Sequence, residues 1–473
     1  MVRHVIVGAG PAAINAIETI REFDGGASEI VLVSDEPAYS RMVLPYYLAD
    51  QIAYQHIFTG DAAYFDQLKV QTRFGRRVVC VQPSAQQITL DNGEELPFDT
   101  LLLATGSSPT IPKIPGADLP GVYPLWTLAH TEAVLQAAAG RPKPTAVLVG
   151  AGFIGFIVLN AMYKRGWVLH VVEREPQVLP RMLDRESARL VENWLRQKGV
   201  TLHLGTTVSE IQPLSPPDGS RVPRKQLRLA NGHALEADIV ILATGIRANI
   251  DFLAGSGIVV DQGILVNDRM QTNFPNIYAA GDVAQGPDLL GGPPAIHAIQ
   301  PTAVDHGRVA GANMASHTVR YPGSLLMNIL DVCGLQCASF GRWHDPQAEA
   351  LTLHNPQGPI YRKLLWTGDC ITGAIFVGRA QDVGLLNDLG MVKGIIQTQT
   401  SLKEWKKFLH DNPFDIRRAY VGAGVAAQLA KTTLLGRPTQ PRRYRYLNQQ
   451  PQPQPQITHP AAHQAYVQSR VPQ

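Results

Sequence analysis

Residues 150–162 read GAGFIGFIVLNAM, and the glycine spacing of this stretch decides the fold class. TAVLVG (145–150) predicts a strand before the glycines, a helix is predicted over 153–165, and LHVVE (169–173) predicts the next strand. A glycine turn between a strand and a helix lets backbone N–H groups and the positive end of the helix dipole approach a pyrophosphate. The stretch therefore predicts a β-α-β dinucleotide-binding unit. Its predicted cofactor-binding residues are Gly150, Gly152, Phe153, Ile154 and Gly155.

Glu173 ends the second strand of this unit, about 20 residues after the glycine turn, where an acid binds the ribose hydroxyls of NAD. A carboxylate at this position repels the 2′-phosphate of NADP, so NADH is favoured over NADPH. Arg174 follows directly and could accept that phosphate, which makes the expected preference moderate.

A second unit of the same kind opens the chain. HVIV (4–7) and EIVLVS (29–34) predict two buried strands, and Ile14, Ile17 and Ile20 recur at helical spacing between them. The first strand ends in the turn Gly-x-Gly-x-x-Ala, and two acids follow the second strand as candidates for ribose binding. The predicted cofactor-binding residues of this unit are Gly8, Gly10, Ala13, Asp35 and Glu36.

Each unit is followed by a predicted strand that ends in the same three residues. FDTLLLATG (98–106) follows the first unit, and ADIVILATG (237–245) follows the second. This internal duplication predicts two bound dinucleotides, and the economical pair is a tightly held flavin and a diffusible nicotinamide. The turn residues expected near the cofactors are Ala104, Thr105, Gly106 and Gly245.

The composition excludes several other classes of protein. With 42 Lys and Arg against 39 Asp and Glu, the net charge of +3 does not argue for a nucleic-acid or membrane partner. No apolar run reaches the roughly 20 residues that a membrane-spanning helix needs. The N-terminus lacks a signal-like region, so a cytoplasmic location is expected. Residues after Asp415 carry only basic charges, which indicates a solvated tail or a docking arm for an acidic partner or an anionic surface.

The four cysteines do not predict a disulfide framework. If Cys333 and Cys337 lie on one strand, they are about 13 Å apart, which is too far for a disulfide. No set of His, Cys or carboxylate residues has the spacing of metal ligands, so no metal is expected.

In this order, the motifs resemble the FAD-dependent pyridine nucleotide–disulfide oxidoreductase superfamily over about residues 2–410. QTNFPNIYAAGD (271–282) matches a further motif of that family. The resemblance implies that Asp282 binds the ribityl chain of FAD and that Gly281 allows a close backbone approach.

The C-terminal part resembles one branch of the family. YRKLLWTGDCITGAIFVG (361–378) and SLKEWKKFL (401–409) are similar to nitrite reductase large-subunit N-terminal regions, nitrate reductase electron-transfer subunits and rubredoxin-type reductases. Within that branch, Arg41 matches an arginine that contacts FAD, and Val78 matches a position whose backbone meets the adenine.

The resemblance implies an α/β fold with two Rossmann-like domains of the glutathione reductase type, followed by a small α+β domain and a disordered tail. The C-terminal domain is a common dimer surface in the family, so a homodimer is possible. Further helices are predicted over 300–317 and around 383–397 and 401–410. The predicted limits are 1–112 and 245–320 for the FAD-binding domain, 113–244 for the NAD(H)-binding domain, 321–435 for the C-terminal domain and 436–473 for the Pro/Gln-rich tail.

Two features of the family are missing. Disulfide-reducing members carry a Cys pair after the ribose strand, and coenzyme-A-linked members a single Cys, but SRMVLPYYLAD (40–50) contains none. Ile157 stands where many members have a glutamate beside the flavin N5, and the lysine that pairs with that glutamate is also absent from 40–50. We interpret Ile157 as an apolar wall that alters nicotinamide stacking or flavin potential; the alternative is that this site has lost NADH oxidation.

His297 lies in a stretch that, by resemblance, approaches the flavin pyrimidine. It either stabilises the reduced flavin, helped by the helix predicted from about Gln300, or is a hydrogen-bonded structural residue. The predicted function is an FAD-dependent NADH:acceptor oxidoreductase that delivers electrons to a redox protein or an oxidoreductase subunit, with a quinone or oxygen next in order. The alternative is a flavin-binding interaction or assembly subunit with weak or no NADH oxidation.

Overall fold

The computed structural model describes residues 1–214, 223–430 and 434–436. The chain opens with four strands that form a parallel sheet in the order β7-β1-β2-β3, and helix α1 crosses from β1 to β2. The strands are β1 (Arg3–Val7), β2 (Glu29–Ser34), β3 (Val70–Phe74), β4 (Val78–Gln82), β5 (Gln87–Leu90), β6 (Glu95–Pro97), β7 (Thr100–Leu103) and β8 (Ser107–Pro109). The helices are α1 (Pro11–Asp24), α2 (Leu44–Leu48) and α3 (Ala62–Gln67).

The second glycine stretch lies in a separate parallel sheet of the same design. Its order is β12-β11-β10-β16-β9, with a three-stranded antiparallel sheet, β13-β14-β15, packed beside it. The strands are β9 (Val122–Pro124), β10 (Thr145–Val149), β11 (Val168–Glu173), β12 (Thr201–Leu204), β13 (Val208–Pro213), β14 (Lys225–Leu229), β15 (Ala234–Ala237) and β16 (Ile239–Leu242). The helices are α4 (Leu128–Ala138), α5 (Phe153–Lys164) and α6 (Arg185–Gln197).

The chain then returns to the first sheet. Strand β19 pairs in parallel with β7, and α7 packs on α1 so closely that a Cβ on Gly307 would lie 2.1 Å from the Ala12 carbonyl oxygen. The elements of this part are β17 (Ile246–Ala248), β18 (Ile264–Leu265), β19 (Ile277–Ala279), β20 (Ala284–Gln285) and α7 (Gln300–Met314). Single turns of 3-10 helix span Arg41–Val43, Tyr54–His56, Pro83–Ala85, Asp251–Leu253 and Gly281–Val283.

The C-terminal part is an antiparallel sheet covered by helices. Its order is β21-β22-β25-β24-β23. The strands are β21 (Met327–Val332), β22 (Leu335–Gly341), β23 (Glu349–Asn355), β24 (Ile360–Thr367) and β25 (Cys370–Arg379). The helices are α8 (Val383–Gln397), α9 (Glu404–Asp411), α10 (Ile416–Gly422) and α11 (Val425–Leu429).

This sheet is buried on both faces because its apolar residues alternate. Leu365 and Ile375 join the core of the second nucleotide-binding half, whereas Leu364 and Phe376 pack with the C-terminal helices. Farther along, Leu434 and Leu435 pack against the core of the first half. The C-terminal domain is therefore packed against both nucleotide-binding halves.

The predicted fold class is confirmed: two Rossmann-like halves are followed by a small α+β part. The domain limits given above stay predictions, and the tail 437–473 lies outside the described residues. In the described part of the chain, no helix combines the length and apolar composition needed to cross a bilayer.

One local prediction was wrong. Cys333 does not share a strand with Cys337, because β21 ends at Val332 and Cys333 occupies the hairpin turn with φ of +53°. The conclusion drawn from it still holds, since both thiols are free. Helix α7 also ends three residues earlier than predicted, at Met314, and α9 begins only at Glu404.

Candidate functional site

A cavity of about 400 Å³ lies where the first sheet, the N-terminus of α5 and strand β21 meet. Both nucleotide-binding halves and the C-terminal sheet contribute to its lining. The predicted site residues that line it are Gly8, Gly10, Asp35, Glu36, Arg41, Ala104, Thr105, Gly106, Phe153, Ile154, Ile157, Gly281 and Asp282. The predicted residues that lie outside its lining are Ala13, Val78, Gly150, Gly152, Gly155, Glu173, Gly245 and His297.

The first glycine turn is shaped by the ATG turn that follows β7. Gly8 has φ of +101°, and a Cβ there would lie 2.3 Å from the carbonyl oxygen of Ala104. Gly10, by contrast, has an ordinary backbone conformation, and a Cβ there would meet no neighbour within 4 Å. A glycine is therefore required at residue 8 by its backbone conformation and by its contact with Ala104. The open space beside Gly10 is instead available to a phosphate group.

The second glycine turn repeats this geometry. Gly150 has φ of +102°, and its Cβ would lie 2.4 Å from the carbonyl oxygen of Ala243, the first residue of the second ATG turn. A Cβ on Gly155 would lie 2.7 Å from the Gly150 carbonyl oxygen, so α5 packs tightly against the turn. Each glycine turn and its ATG turn thus form one packed unit, which explains why the two motifs are duplicated together.

The acids that are predicted to bind ribose are placed differently in the two halves. The Gly8 N–H donates to the Val33 carbonyl (2.7 Å), and the Gly150 N–H donates to the Val172 carbonyl (2.8 Å). Ser34 is therefore the positional counterpart of Glu173. The Glu173 carboxylate is nearly buried and accepts bonds from the backbone N–H of Ala151 (2.6 Å) and of Glu175 (2.9 Å).

Because Ser34 fills that position, the acid of the first half comes later in the chain. Asp35 pairs with the exposed Arg77 (2.7 Å) on the protein surface. Glu36 accepts hydrogen bonds from Tyr39 Oη (2.8 Å) and Arg41 Nη2 (3.1 Å). Both acids line the cavity, but the side chain of Glu36 is less exposed than that of Asp35, 28% against 50%. Burial raises the pKa of Tyr39 to about 12, so its hydroxyl remains a donor to Glu36. Of the two candidates, Glu36 is the better placed to bind a ribose.

Asp282 is half-buried at the cavity and is part of a hydrogen-bond network. Ser107 Oγ donates to Asp282 Oδ2 (2.7 Å), and the Ser107 carbonyl accepts from Trp126 Nε1 (2.7 Å) and Arg41 Nη1 (3.1 Å). Burial raises the pKa of Asp282, against the opposing effects of the Ser107 bond and the Arg41 charge. Sequence reasoning missed Ser107 and Trp126: Ser107 directly follows an ATG turn, whereas no sequence pattern indicated Trp126.

Residues 2–303 match the family model described as pyridine nucleotide-disulphide oxidoreductase. The chain belongs to this family. Its members use FAD and a nicotinamide nucleotide, and the predicted branch is confirmed by the relatives described next.

Two curated relatives and one solved structure are similar over most of the chain. The NADH-dependent phenylglyoxylate dehydrogenase subunit epsilon of Aromatoleum evansii is 31% identical over 88% of this chain and 96% of its own length. The assimilatory nitrate reductase electron transfer subunit of Bacillus subtilis is 29% identical over 82% of this chain, which spans only 49% of that relative. An NAD-dependent persulfide reductase from A. fulgidus superposes with a TM-score of 0.76 at 27% identity, covering 85% of this chain and 78% of that one.

The residues of this family member fit the flavin. A pyrophosphate can approach the free side of Gly10, and α1 starts there with no side-chain cap on its first N–H groups. Gly281, with φ of +78°, brings the backbone to the cavity directly beside Asp282. These residues would hold the pyrophosphate and the ribityl chain of FAD.

The family's redox cysteines have no counterpart at this cavity. The four cysteines of the chain are free, and none of them belongs to the cavity lining. Burial raises the pKa of the Cys333 thiol to about 12 and that of Cys337 further still, so both thiols stay protonated. Among the residues that the structure describes, no group of three or more His, Cys, Asp or Glu could hold a metal ion.

Ile157 lines the cavity and packs against the apolar core of the second nucleotide-binding half. Helix α5 contributes Phe153, Ile154, Ile157 and Val158 to the lining, and β21 contributes Met327 and Ile329. Among the described residues, the ionisable side chains of the lining are those of Asp35, Glu36, Tyr39 and Arg41, which follow β2, and that of Asp282. A carboxylate at residue 157 would thus have apolar neighbours, which agrees with the joint absence of the family's glutamate and lysine.

His297 does not line the cavity, although the four residues after it do. Its ring is buried, with Nδ1 2.8 Å from Ser324 Oγ and Nε2 3.4 Å from Asp288 Oδ2. Burial lowers the pKa of His297, while the charge of Asp288 and a bond to Ser324 oppose this shift. A direct contact of His297 with the flavin stays a prediction. Val78 is also buried away from the cavity, in β4 opposite Leu90.

Proposed function

We propose that this chain oxidises NADH through bound FAD and passes the electrons to a separate redox protein or oxidoreductase subunit. The observation that carries the proposal is the shared cavity: the first glycine turn and Asp282 border the same space as the N-terminus of α5. Hydride transfer needs the nicotinamide and flavin rings to be stacked in contact, and a cavity bordered by both halves can provide that geometry.

Each half has a separate binding task in this proposal. The Gly8–Gly10 turn holds the FAD pyrophosphate, Glu36 holds its ribose, and Asp282 holds its ribityl chain. The second glycine turn and Glu173 bind NADH. When bound, FAD accepts the hydride of NADH as two electrons and a proton and releases the electrons singly or in pairs. The apolar side chains of α5 and β21 exclude water from the place where the rings meet.

The acceptor is proposed to be external because no cysteine lines the cavity. The relative from Bacillus subtilis is named an electron transfer subunit and the one from Aromatoleum evansii a dehydrogenase subunit. These names favour delivery of electrons to another protein or subunit.

Glu173 supports NADH as the electron donor. Its two oxygens are held by the backbone N–H groups of Ala151 and Glu175, and each retains a lone pair for a ribose hydroxyl. A 2′-phosphate would meet this nearly buried carboxylate. Arg174 is mostly exposed and pairs with Glu175, so it does not reverse this preference.

The test is an anaerobic titration of the purified, FAD-loaded protein, first with NADH and then with NADPH. Rapid bleaching of the flavin absorbance by NADH, and slower bleaching by NADPH, is the expected result. If neither nucleotide bleaches a correctly bound flavin, the oxidoreductase proposal is wrong. Ile157 would then favour the alternative, a flavin-binding interaction or assembly subunit.

A cytoplasmic location and a homodimer belong to the same proposal. The free cysteines suit a reducing compartment. The homodimer is proposed by analogy with the family, through the C-terminal domain. Light scattering on the purified protein tests the dimer, and a monomeric mass at micromolar concentration would contradict it.

A further inference from the structure

We propose that His297 is a positioning residue that couples the C-terminal domain to the N-terminus of α7 at the flavin cavity. This inference rests on the proposed binding of FAD. It assigns His297 no contact with the flavin, and it gives the loop before it a role in setting the flavin's properties.

The loop in question, residues 287–294, lies between β20 and α7 and is called the bridging loop here. Its base is closed by Gly286 and Ala295, whose backbone groups form two hydrogen bonds (2.8 and 3.1 Å). Its middle is attached to the C-terminal domain: Arg342 Nη2 donates to the Leu290 carbonyl (2.5 Å) and Gln399 Nε2 to the Leu289 carbonyl (2.6 Å). The loop therefore follows the position of the C-terminal domain.

Ser324 strengthens this attachment from the segment that leads into β21. Its N–H donates to the Pro287 carbonyl, and its carbonyl accepts from the Leu289 N–H (both 3.0 Å). Gly323 beside it has φ of +118°, and a Cβ there would lie 2.7 Å from the Leu289 nitrogen. The bridging loop and the start of the C-terminal domain are thus in backbone contact.

His297 joins both of these segments. Its Nδ1 lies 2.8 Å from Ser324 Oγ, its Nε2 lies 3.4 Å from Asp288 Oδ2, and its side chain is only 6% exposed. Two residues later the chain reaches Ile299, the N-cap of α7. The ring therefore ties the chain just before α7 to the bridging loop and to the C-terminal domain at once.

The bonds of His297 can survive a change of its protonation state. In the neutral ring, Nε2–H faces Asp288 and the Ser324 hydroxyl donates to Nδ1. In the protonated ring, Nδ1–H would donate to Ser324 Oγ, and that hydroxyl can turn to the Pro287 carbonyl 3.4 Å away. His306 of α7 is a titratable group close enough to respond to this ring: burial, and then the charge of His297, lower the pKa of His306 to about 4. The bonds that attach His297 to Ser324 and Asp288 are therefore expected in both protonation states, and they do not form a pH switch.

The start of α7 is where this attachment reaches the cavity. Ile299, Gln300 and Pro301 line it, and the 15-residue helix begins without a side-chain cap or an acid in its first turn. The uncapped N–H groups and the positive end of the helix dipole therefore face the cavity, where they favour negative charge. A displacement of this helix end would weaken the stabilisation of the negative charge that the flavin gains on reduction.

The experiment compares midpoint potentials of the bound flavin in the FAD-loaded full-length protein. His297→Phe keeps an aromatic ring but loses its bonds. Ser324→Ala removes the hydroxyl partner of Nδ1, and Asp288→Asn removes the negative charge beside Nε2. Gln399→Ala removes one of the two side-chain bonds that attach the loop to the C-terminal domain. We expect all four variants to have a lower midpoint potential and an altered visible circular dichroism of the flavin. The Kd for NADH should change less than twofold.

His354→Phe is the matched control, because His354 lies on β23 and pairs with Glu186, away from the bridging loop. Its midpoint potential should equal that of the wild type. If the flavin potentials of Ser324→Ala, Asp288→Asn and Gln399→Ala also equal the wild-type value, the positioning role is wrong, even if His297→Phe fails to fold. If the wild type itself binds no FAD, the proposed function fails before any variant is compared.

Discussion

Ser34 and Glu173 occupy equivalent positions at the ends of β2 and β11, yet only one of them is an acid. The first half therefore takes its carboxylate from the turn beyond the strand, where Glu36 is held by Tyr39 and Arg41. The second half has its carboxylate in the usual place, held by backbone N–H groups. Two residues with the same proposed task are therefore held by different partners, and the two roles can be tested independently.

Glu173→Ala should raise the KM for NADH by about 10- to 100-fold while leaving FAD content unchanged. The loss of hydrogen bonds from ribose to a charged group costs about 1.5–3 kcal/mol, and each 1.4 kcal/mol is about tenfold in affinity. Steady-state kinetics and the FAD-to-protein absorbance ratio give the two readouts. Glu36→Ala is the matched control, with the opposite pattern expected: weaker FAD binding and an unchanged Kd for NADH once FAD is saturating. Loss of both cofactors in either variant would show that the sites are assigned wrongly.

Ile157→Glu should destabilise the protein increasingly as the pH rises. A carboxylate among apolar neighbours has a folded-state pKa above its unfolded value of about 4.3, so the penalty is absent at low pH and grows as the unfolded-state carboxylate ionises. Thermal unfolding at pH 4 to 8, with Ile157→Gln as the uncharged control, measures it. The two melting temperatures should agree near pH 4 and separate above it. Equal melting temperatures at every pH would show that a side chain at residue 157 does not meet an apolar environment.

At the scale of elements, each glycine turn packs against an ATG turn, and this close contact requires the glycine. Gly8 and Gly150 face the carbonyl oxygens of Ala104 and Ala243 at distances that no Cβ could tolerate. The sequence showed that both motifs are duplicated. Their contact, between segments about 95 residues apart in each half, required the parallel pairing of β1 with β7 and of β10 with β16.

Alanine substitutions in these turns should therefore have three distinct outcomes. Gly8→Ala should lose FAD, and Gly150→Ala should keep FAD but lose reduction by NADH, because each clashes within its own half. Gly10→Ala should leave the melting temperature of the FAD-free protein unchanged, since its Cβ meets open space, and should weaken FAD binding only. The measurements are FAD content, thermal unfolding and anaerobic bleaching. If Gly10→Ala lowered the stability of the FAD-free protein as Gly8→Ala does, the proposed division of roles would be wrong.

Some element boundaries follow directly from the apolar pattern of the sequence. β2 and α8 have the predicted limits, Glu29–Ser34 and Val383–Gln397. The prediction failed at Cys333, since a cysteine with positive φ carries no turn signal in the sequence. Only the hairpin pairing of β21 with β22 places it in a turn.

For the whole molecule, the C-terminal sheet acts as a partner of the second nucleotide-binding half. The carboxylate of Asp184 bonds to both parts of this contact. It caps α6 through the Ser187 N–H (3.0 Å) and accepts bonds from Tyr361 Oη (2.6 Å) and Lys363 Nζ (2.9 Å) of β24. Burial would raise its pKa, but the hydrogen bonds from Ser187, Tyr361 and Lys363 outweigh this and lower it.

Asp184→Asn should destabilise the protein by about 1–3 kcal/mol at pH 7, because bonds to a charged group are lost. A carboxyl whose folded pKa is depressed contributes stability above its unfolded pKa of about 3.9 and loses it as the pH falls through the folded pKa. The difference between variant and wild type should therefore shrink below about pH 4. Urea unfolding at pH 3 to 7 measures it, with the exposed Asp251→Asn as the control. A difference that stays constant with pH would mean that the charge of Asp184 is not responsible.

The sequence by itself determined the two nucleotide-binding units, their order, the strand-end acid Glu173 that is proposed to bind NADH, and the absence of cysteine from residues 40–50. These are local features, because glycine turns, strand periodicity and strand-end acids act within a few residues of one another. Only the tertiary structure gave Asp35 and Glu36 different partners and placed Ser107 and Trp126 in the network of Asp282. It also placed the ring of His297 against Asp288 and Ser324. Those partners come from distant segments, and packing of the sheets and the C-terminal domain decides which of them meet.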